Sequence, residues 1–240
     1  QAWEAETGDQ SLGFGSIDDG LVSRYPLDDA AQVARDKTET DSETKPATFE
    51  VGVLDRALVL RGDGAIEAGN DIGNFGYFDE FTLACWVRPL DHTGTLISRM
   101  TPVARGSGYY LHLQDGCLQV NLVKRWLDDS VRVQSRDRLA MDEWHHVTMT
   151  YDGTRLASGI RLYVDGVEQA LDVHLDSINQ TFTTDQPLRI GGGASSYTGM
   201  IDEVRVYDRA LTSNEVVINS CRRSINEILE VEPAQRSAAE

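Results

Sequence analysis

Hydrophobic and polar residues alternate along two neighbouring stretches in the middle of the chain. Residues 147–151 read VTMTY, and residues 160–164 read IRLYV. A period of two in β-branched and aromatic residues predicts two half-buried β-strands. The pairs Asp152-Gly153 and Asp165-Gly166 follow these strands and suit tight turns, because they tolerate positive φ angles. This region is therefore predicted to be a ladder of scaffold strands.

Similar strand signals recur along most of the chain, at a spacing of roughly 8–15 residues with turn residues between them. This pattern favours an all-β sandwich. No internal repeat or boundary is visible within residues 20–211, so these residues are predicted to form one domain after a linker at 1–19. The first strand is predicted from Leu21 to Leu27, and further strands in RALVL, EFTLACWVRP, GTLISRM, YYLHLQ, CLQVNLV, SVRVQS, LRIGGG and GMIDEVRVYDRAL.

One helix is predicted near the end of the chain. Thr212 is a good N-cap residue, and Glu215 three positions later completes a capping box. Apolar residues then recur at helical spacing, which predicts a helix from Ser213 to Leu229. Residues 212–240 are accordingly assigned to a C-terminal helix and tail.

The composition is strongly acidic. The chain holds 39 Asp and Glu residues against 22 Lys and Arg residues, a formal net charge of −17. Nucleic acids and anionic membrane surfaces require basic patches, so neither is expected as a partner. No apolar run is long enough to cross a membrane. We also expect the chain, which begins at Gln1 without a visible signal peptide, to be a piece of a larger protein.

Five stretches stand in an order that resembles a known family. They read EFTLACWVRP, EWHHVTMTYDG, IRLYVDGVEQ, PLRIGGG and GMIDEVRVYDRALTSNEV. This order resembles laminin-G-like domains of the concanavalin A-like lectin/glucanase type, over about Leu21 to Val217. The version here looks most like modules of large multidomain bacterial surface proteins that also carry cytochrome-c-like domains. The resemblance implies a jelly-roll sandwich of two antiparallel sheets with one C-terminal helix, and an extracytoplasmic location: periplasmic, cell-surface or secreted.

The same fold also houses enzymes, so catalytic carboxylates must be sought. A retaining glycosidase needs two carboxyl groups about 5–5.5 Å apart. Glu39, Asp41 and Glu43 alternate suitably, but the residues between them are polar, which predicts a solvated loop. His145 and His146 are adjacent on a strand and point to opposite faces, so they are interpreted as structural. No catalytic residue is predicted.

Calcium is the metal that the resemblance implies. Related domains often bind one Ca²⁺ at a rim of the sandwich, through an aspartate that corresponds to Asp202 in IDEVRVY. Its predicted companions are Asp28 and Asp36, although the loop around Asp36 lacks the glycine and asparagine typical of the family. The alternatives are that Asp202 only bonds a turn, or that the loop at 70–74 forms a pentraxin-like site.

A glycan site requires an exposed aromatic ring with polar groups beside it. Trp126 is the best candidate, because charged residues flank it, whereas Trp86 and Trp144 are expected in the core. The alternative for Trp126 is simple packing over a sheet edge. Four residues are predicted to share a sheet face with it: Tyr110, His112, Arg99 and Asn121.

These observations predict a non-catalytic carbohydrate- or protein-binding module of a larger bacterial extracytoplasmic protein. Its ligand would be a glycan or a neighbouring protein domain, a calcium ion could stabilise it, and the isolated domain would be monomeric. Two alternatives remain open: a glycoside hydrolase or polysaccharide lyase of the same fold, and a structural spacer without a ligand. Fold alone does not decide among them.

Overall fold

The computed structural model of the chain describes residues 17–30 and 47–222, which form two sheets of strands. The first sheet contains β1 (Leu21–Tyr25), β2 (Thr48–Val51), β3 (Arg56–Arg61), β5 (Glu80–Pro89), β10 (His145–Asp152), β11 (Ile160–Val164), β12 (Val167–Glu168) and β15 (Thr198–Tyr207). The second contains β4 (Ile66–Glu67), β6 (Gly94–Met100), β7 (Gly108–Gln114), β8 (Cys117–Arg125), β9 (Asp129–Arg138), β13 (Leu171–Ser177) and β14 (Arg189–Ile190). A short 3₁₀ turn at Ala157–Gly159 precedes β11, and helix α1 (Ser213–Asn219) follows β15.

Both sheets are antiparallel in the described residues. The eight-stranded sheet has the order β12-β11-β10-β5-β15-β3-β2, with β1 also paired to β15. The seven-stranded sheet has the order β13-β9-β8-β7-β6-β14-β4. Strands that are neighbours in the sheet are often distant in sequence, as in β5 and β15. The predicted all-β jelly-roll sandwich is confirmed.

The core lies between the two sheets and receives every second side chain. In β5, Phe81, Leu83, Cys85 and Val87 face it and are fully buried. Leu111 of β7 comes from the opposite sheet. Burying one such side chain contributes about 1.5–3 kcal/mol. The alternation therefore fixes which residues of each sheet point outward, where a ligand could reach them.

The central ladder forms as predicted. Val147 lies opposite Val164, and Tyr151 lies opposite Ile160, in the antiparallel pair β10 and β11. The turn after β11 has φ angles of 50° at Asp165 and 79° at Gly166, as a two-residue hairpin turn requires. The Asp152-Gly153 pair instead begins a longer connection through the 3₁₀ turn.

Helix α1 begins as predicted but ends earlier. Thr212 and Glu215 form the capping box. The helix stops at Asn219 rather than at Leu229, because Ser220 leaves helical geometry with a ψ of 0°. Residues 223–229 lie outside the described part of the chain. No helix in residues 17–30 and 47–222 has the length and apolar character of a membrane span.

The helix packs on the outer face of the eight-stranded sheet. Val216 contacts a cluster that contains Tyr163 and Tyr207. Beyond the helix, the Arg222 guanidinium donates to the Trp144 carbonyl oxygen and lies 4.9 Å from the ring centroid of Trp86. The end of the chain therefore covers part of this face.

Two tryptophans predicted in the core are placed differently. Trp86 is buried, but it alternates with the core residues of β5 and so faces outward. Its ring lies 5.0 Å from the His146 ring, beneath the C-terminal segment. Trp144 is only half-buried. An apolar pattern marks both core residues and outward residues that another segment covers, so the pattern alone could not separate the two.

Candidate functional site

Four of the five side chains predicted to bind a ligand lie together on the outer face of the seven-stranded sheet. Tyr110 is opposite Asn121 in the pair β7 and β8, and directly opposite residues share a face. His112 lies two residues from Tyr110 on the same side. Trp126, in the turn between β8 and β9, packs against the cluster that contains Tyr110.

Three of them, Tyr110, His112 and Trp126, line a groove of about 420 Å³, which we call the Trp126 groove. Its volume lies within the range of small-ligand sites. The residues that matter most for its chemistry are Arg105, Tyr110, His112, Gln119, Trp126 and Ser195.

Two arginines hold the Trp126 ring. The Arg132 guanidinium carbon lies 4.1 Å from the ring centroid, and that of Arg105 lies 5.4 Å from it. Such cation–π contacts contribute about 0.5–1 kcal/mol at exposed sites. Trp126 remains half-buried. The arrangement therefore positions an aromatic surface beside two cationic groups.

A chain of hydrogen bonds crosses the sheet next to this ring. Gln119 Oε1 lies 3.2 Å from His112 Nε2 and accepts from Asn121 Nδ2 at 3.1 Å. Gln119 Nε2 donates to Gln134 Oε1 at 3.0 Å, and His174 Nε2 lies 3.2 Å from the same oxygen. Burial lowers the pKa of His112 to about 4, so its imidazole is neutral near pH 7.

Three buried polar atoms on this face have no hydrogen-bond partner in the described residues. They are His112 Nδ1, Asn121 Oδ1 and Arg132 Nε. Leaving such a group unsatisfied costs about 1–3 kcal/mol, and native structures contain few of them. Burial, with a smaller effect from the Arg105 charge, lowers the pKa of Arg132. Unsatisfied groups beside an aromatic ring are what a polar ligand such as a sugar would use.

The prediction that Arg99 shares this face is wrong. Arg99 lies opposite Tyr109, which faces the core, and its guanidinium donates to the carbonyl oxygens of Ile72 at 2.6 Å and Thr184 at 3.1 Å. The cause is an irregularity in β6 between Thr95 and Ile97. A shift of one residue moves every later side chain to the other face.

The sequence reasoning missed several groove residues. Gln119 could have been found, because the turn at Asp115-Gly116 sets the register that places it opposite His112. Arg105 comes from the loop between β6 and β7. No sequence pattern indicates where that loop returns to the sheet.

Two of the three predicted calcium ligands, Asp202 and Asp28, lie in the described residues. Asp202 Oδ2 accepts from the backbone N–H groups of Val53 at 2.8 Å and Leu54 at 3.1 Å, whereas its Oδ1 has no partner there. Asp28 accepts a backbone N–H from β3, and Asp36 lies outside the described residues. Burial, with smaller effects from nearby acids, raises the pKa of Asp202 to about 7.

Ca²⁺ requires six to eight oxygen ligands. Residues 17–30 and 47–222 contain no group of three or more His, Cys, Asp or Glu side chains that could hold a metal. The described residues therefore fit the turn-bonding role of Asp202 better than a calcium site, and calcium at Asp202, Asp28 and Asp36 stays a prediction. In the alternative loop, Asn74 Oδ1 accepts from the Thr184 N–H.

The two adjacent histidines make contacts within the scaffold. His145 Nδ1 lies 2.9 Å from Asp165 Oδ2. His146 packs against Trp86, and burial lowers its pKa to about 3. Neither lines the Trp126 groove. The acidic triplet Glu39, Asp41 and Glu43 lies outside the described residues.

A second groove, of about 440 Å³, lies beside the start of α1 on the eight-stranded sheet. Its charged side chains already have partners. Arg161 donates to Glu168 at 2.6 Å, and Asp152 accepts from the backbone and the hydroxyl of Thr154. This groove therefore has fewer free groups to offer a ligand than the Trp126 groove.

Comparison with known proteins gives a family match. Residues 60–217 match a family model, Laminin_G_3, which is described as the concanavalin A-like lectin/glucanases superfamily. No curated protein sequence matches the chain.

Several solved structures are similar. The binding domain of Paraclostridial Mosquitocidal Protein 1 has a TM-score of 0.55 at 17% identity, over 72% of this chain and 45% of that one. Domain 4 of AbnA, an extracellular arabinanase from Geobacillus stearothermophilus in complex with arabinotriose, has a TM-score of 0.53 at 16% identity, over 86% and 98%. A SAP-like pentraxin from Limulus polyphemus has a TM-score of 0.50 at 15% identity, over 73% and 86%. At these identities the likeness shows a shared fold, and the chain spans less than half of the mosquitocidal domain.

Proposed function

Because the chain belongs to the concanavalin A-like lectin/glucanase superfamily, we propose that it is a non-catalytic module that binds a glycan in the Trp126 groove. One observation carries the proposal. A half-buried tryptophan lines the same groove as His112, and His112 Nδ1, like Asn121 Oδ1 and Arg132 Nε on the same sheet face, has no partner in the described residues. A sugar offers both an apolar face and hydroxyl groups, and this pairing of ring and polar groups suits both.

The groove is arranged to orient such a ligand. The Trp126 ring supplies a stacking surface whose position the two arginines fix. Gln119 bonds to both Gln134 and His112 in a network that fixes these side chains. Binding a ligand therefore costs little further side-chain entropy. A similar fold, domain 4 of AbnA, has been solved with arabinotriose, which supports a saccharide as ligand.

Hydrolysis in this groove is disfavoured by its lining. None of its described lining residues is Asp or Glu, whereas a glycosidase requires two carboxyl groups. A hydrolase or lyase would need a different site, for example one built from Glu39, Asp41 and Glu43. Binding is therefore the better-supported role for the groove.

The setting of the module is also part of the proposal. An extracytoplasmic location within a larger bacterial protein is supported by the sequence resemblance. A neighbouring protein domain is the second candidate ligand.

The test is a glycan-array screen followed by calorimetry with the best ligand. Trp126→Ala should weaken binding at least about tenfold, because aromatic anchors in binding sites often contribute 2 kcal/mol or more. Trp144→Ala is a matched control, since Trp144 is also half-buried but lies outside the groove. Binding that survives Trp126→Ala would exclude this site, and binding to no glycan would favour the spacer or protein-partner alternatives.

A further inference from the structure

The charge of the Trp126 groove is opposite to that of the chain. The whole chain carries a net charge of −17. The groove has no Asp or Glu among its described lining residues, and it has Arg105 in its wall. Arg132, beside it, reaches the same tryptophan ring. In so acidic a protein, such a site stands out as locally cationic.

The two guanidinium groups lie near the same tryptophan ring, and the Arg105 charge adds to the effect of burial in lowering the pKa of Arg132. Both contact the Trp126 ring, at 4.1 Å for Arg132 and 5.4 Å for Arg105. Like charges at short distance repel one another. Arg105 is exposed to solvent, and Arg132 is half-buried with its Nε unpartnered. Two cations near one ring would be stabilised by an anion between or beside them.

The protein does not supply that anion from its described residues. The arginine ion pairs in residues 17–30 and 47–222 do not include Arg105 or Arg132. The nearest acids in sequence to Trp126 are already engaged. Asp128 pairs with Arg125, Asp129 Oδ1 accepts from two backbone N–H groups, and Asp129 Oδ2 lies 3.9 Å from Arg125 Nη2.

From this geometry we propose that the glycan bound in the Trp126 groove is acidic, and that Arg105 and Arg132 hold its carboxylate or sulfate group. The inference rests on the proposed glycan-binding function and names the ligand class. Guanidinium forks match carboxylate and sulfate oxygens with two parallel hydrogen bonds. The sugar ring then stacks on Trp126, and its hydroxyl groups bond to His112 and Gln119, which line the same groove.

The charged group must be recognised at close range. At physiological salt the Debye length is about 8 Å, so the distant acidic surface is largely screened from a ligand in the groove. Discrimination between acidic and neutral sugars therefore depends on the two arginines.

The test compares three oligosaccharides of equal length by calorimetry at pH 7: a neutral one, an oligouronate and a sulfated one. The wild-type protein should bind one acidic ligand at least about tenfold more tightly than the neutral one, since hydrogen bonds between charged groups are stronger than those between neutral groups. The oligouronate and sulfated arms identify which anion is preferred.

The matched variants are Arg105→Gln and Arg125→Gln. Both remove an exposed positive charge, but Arg125 is paired with Asp128 outside the groove lining. Arg105→Gln should remove most of the preference for the acidic sugar, so that the ratio of acidic to neutral affinity falls to within about twofold of one. Arg125→Gln should leave this ratio, and the binding of the neutral sugar, unchanged.

The outcomes separate the two proposals. Tryptophan-dependent binding of the neutral sugar with no gain for either acidic one would overturn this inference and retain the proposed function. Equal losses for Arg105→Gln and Arg125→Gln would also overturn it, because a general charge effect would then explain the preference. Acidic-sugar binding that does not depend on Trp126 would overturn both.

Discussion

The outer faces of the two sheets use their polar side chains differently. On the eight-stranded sheet, Arg205 Nη1 donates to Asn219 Oδ1 at 2.9 Å, and its Nη2 donates to Glu203 Oε2 at 3.1 Å. Asn219 Nδ2 in turn donates to the Tyr207 hydroxyl at 3.0 Å. The C-terminal helix thus supplies a partner to the strands beneath it, and only the Nε of Arg205 has no hydrogen-bond partner in the described residues.

On the seven-stranded sheet the corresponding partners are missing from the described residues. Arg132 has neither a carboxylate partner nor a bond to its Nε there, and His112 and Asn121 each leave one buried atom unpaired. Both faces follow from the same alternation along strands. The difference lies in the pairing of charges: both terminal nitrogens of Arg205 have partners beneath the C-terminal helix, whereas Arg132 has no ion pair in the described residues.

The largest predicted effect tests the covered face. Glu203 is buried and accepts hydrogen bonds from both Arg24 and Arg205. Glu203→Gln should lower the free energy of unfolding by about 3–5 kcal/mol, because it leaves a buried guanidinium without its counter-ion. Urea denaturation measures this change. Glu168→Gln is the control, since its pair with Arg161 is exposed and should contribute about 0–1 kcal/mol.

Urea denaturation of a variant on the other face tests whether the two faces differ. Arg132→Gln on the open face should cost less than about 1 kcal/mol, because no carboxylate partner is lost in the described residues. If Arg132→Gln destabilised the protein as much as Glu203→Gln, the two faces would not differ in the way their bonding suggests.

The scaffold could be predicted from the sequence because its signals are local. The alternation at 147–151 and 160–164 predicted two strands of a ladder, which form the antiparallel pair β10 and β11. The capping box at Thr212 and Glu215 formed because both partners lie within one helical turn. Such features depend on residues a few positions apart.

The site could be predicted only in part, because its geometry depends on distant segments. The irregularity in β6 sends Arg99 to the core side, and no residue type in GTLISRM indicates it. Arg105 reaches Trp126 through a loop whose path depends on packing. Trp86 is buried by a segment more than a hundred residues later. Contacts between residues far apart in the sequence cannot be recognised from the pattern of neighbouring residues.

The second prediction concerns Asp202, whose charge is poorly compensated. Its pKa is raised to about 7 from a usual value of 3.8, chiefly by burial. The folded state therefore binds this proton more tightly than the unfolded state. The resulting stability is fully present below pH 4 and is lost as the pH rises through 7. Between pH 5 and pH 8, the wild type should lose about 2–3 kcal/mol relative to Asp202→Asn, as measured by urea denaturation with chelator present.

Bound Ca²⁺ would reverse this pH dependence of stability. A cation bound at Asp202 favours its carboxylate form and lowers its pKa. Added Ca²⁺ should then raise the melting temperature at pH 8 in the wild type and leave Asp202→Asn unchanged. If Ca²⁺ shifts neither protein, the predicted site at Asp202 is wrong and the turn-bonding role is sufficient.

The smallest predicted effect concerns helix α1, which covers part of the eight-stranded sheet. It tests whether destabilising this helix changes ligand binding in the Trp126 groove. Thr212 Oγ1 accepts from the Glu215 N–H and donates to its carboxylate, so Thr212→Ala should cost about 1 kcal/mol of stability. Thr212→Ser, which keeps the hydroxyl, should restore most of it. Glycan affinity should not change in either variant, because the Trp126 groove lies on the other sheet. A loss of glycan affinity in Thr212→Ala that Thr212→Ser restores would mean that the outer faces of the two sheets are coupled through the core, and that they cannot be treated as independent.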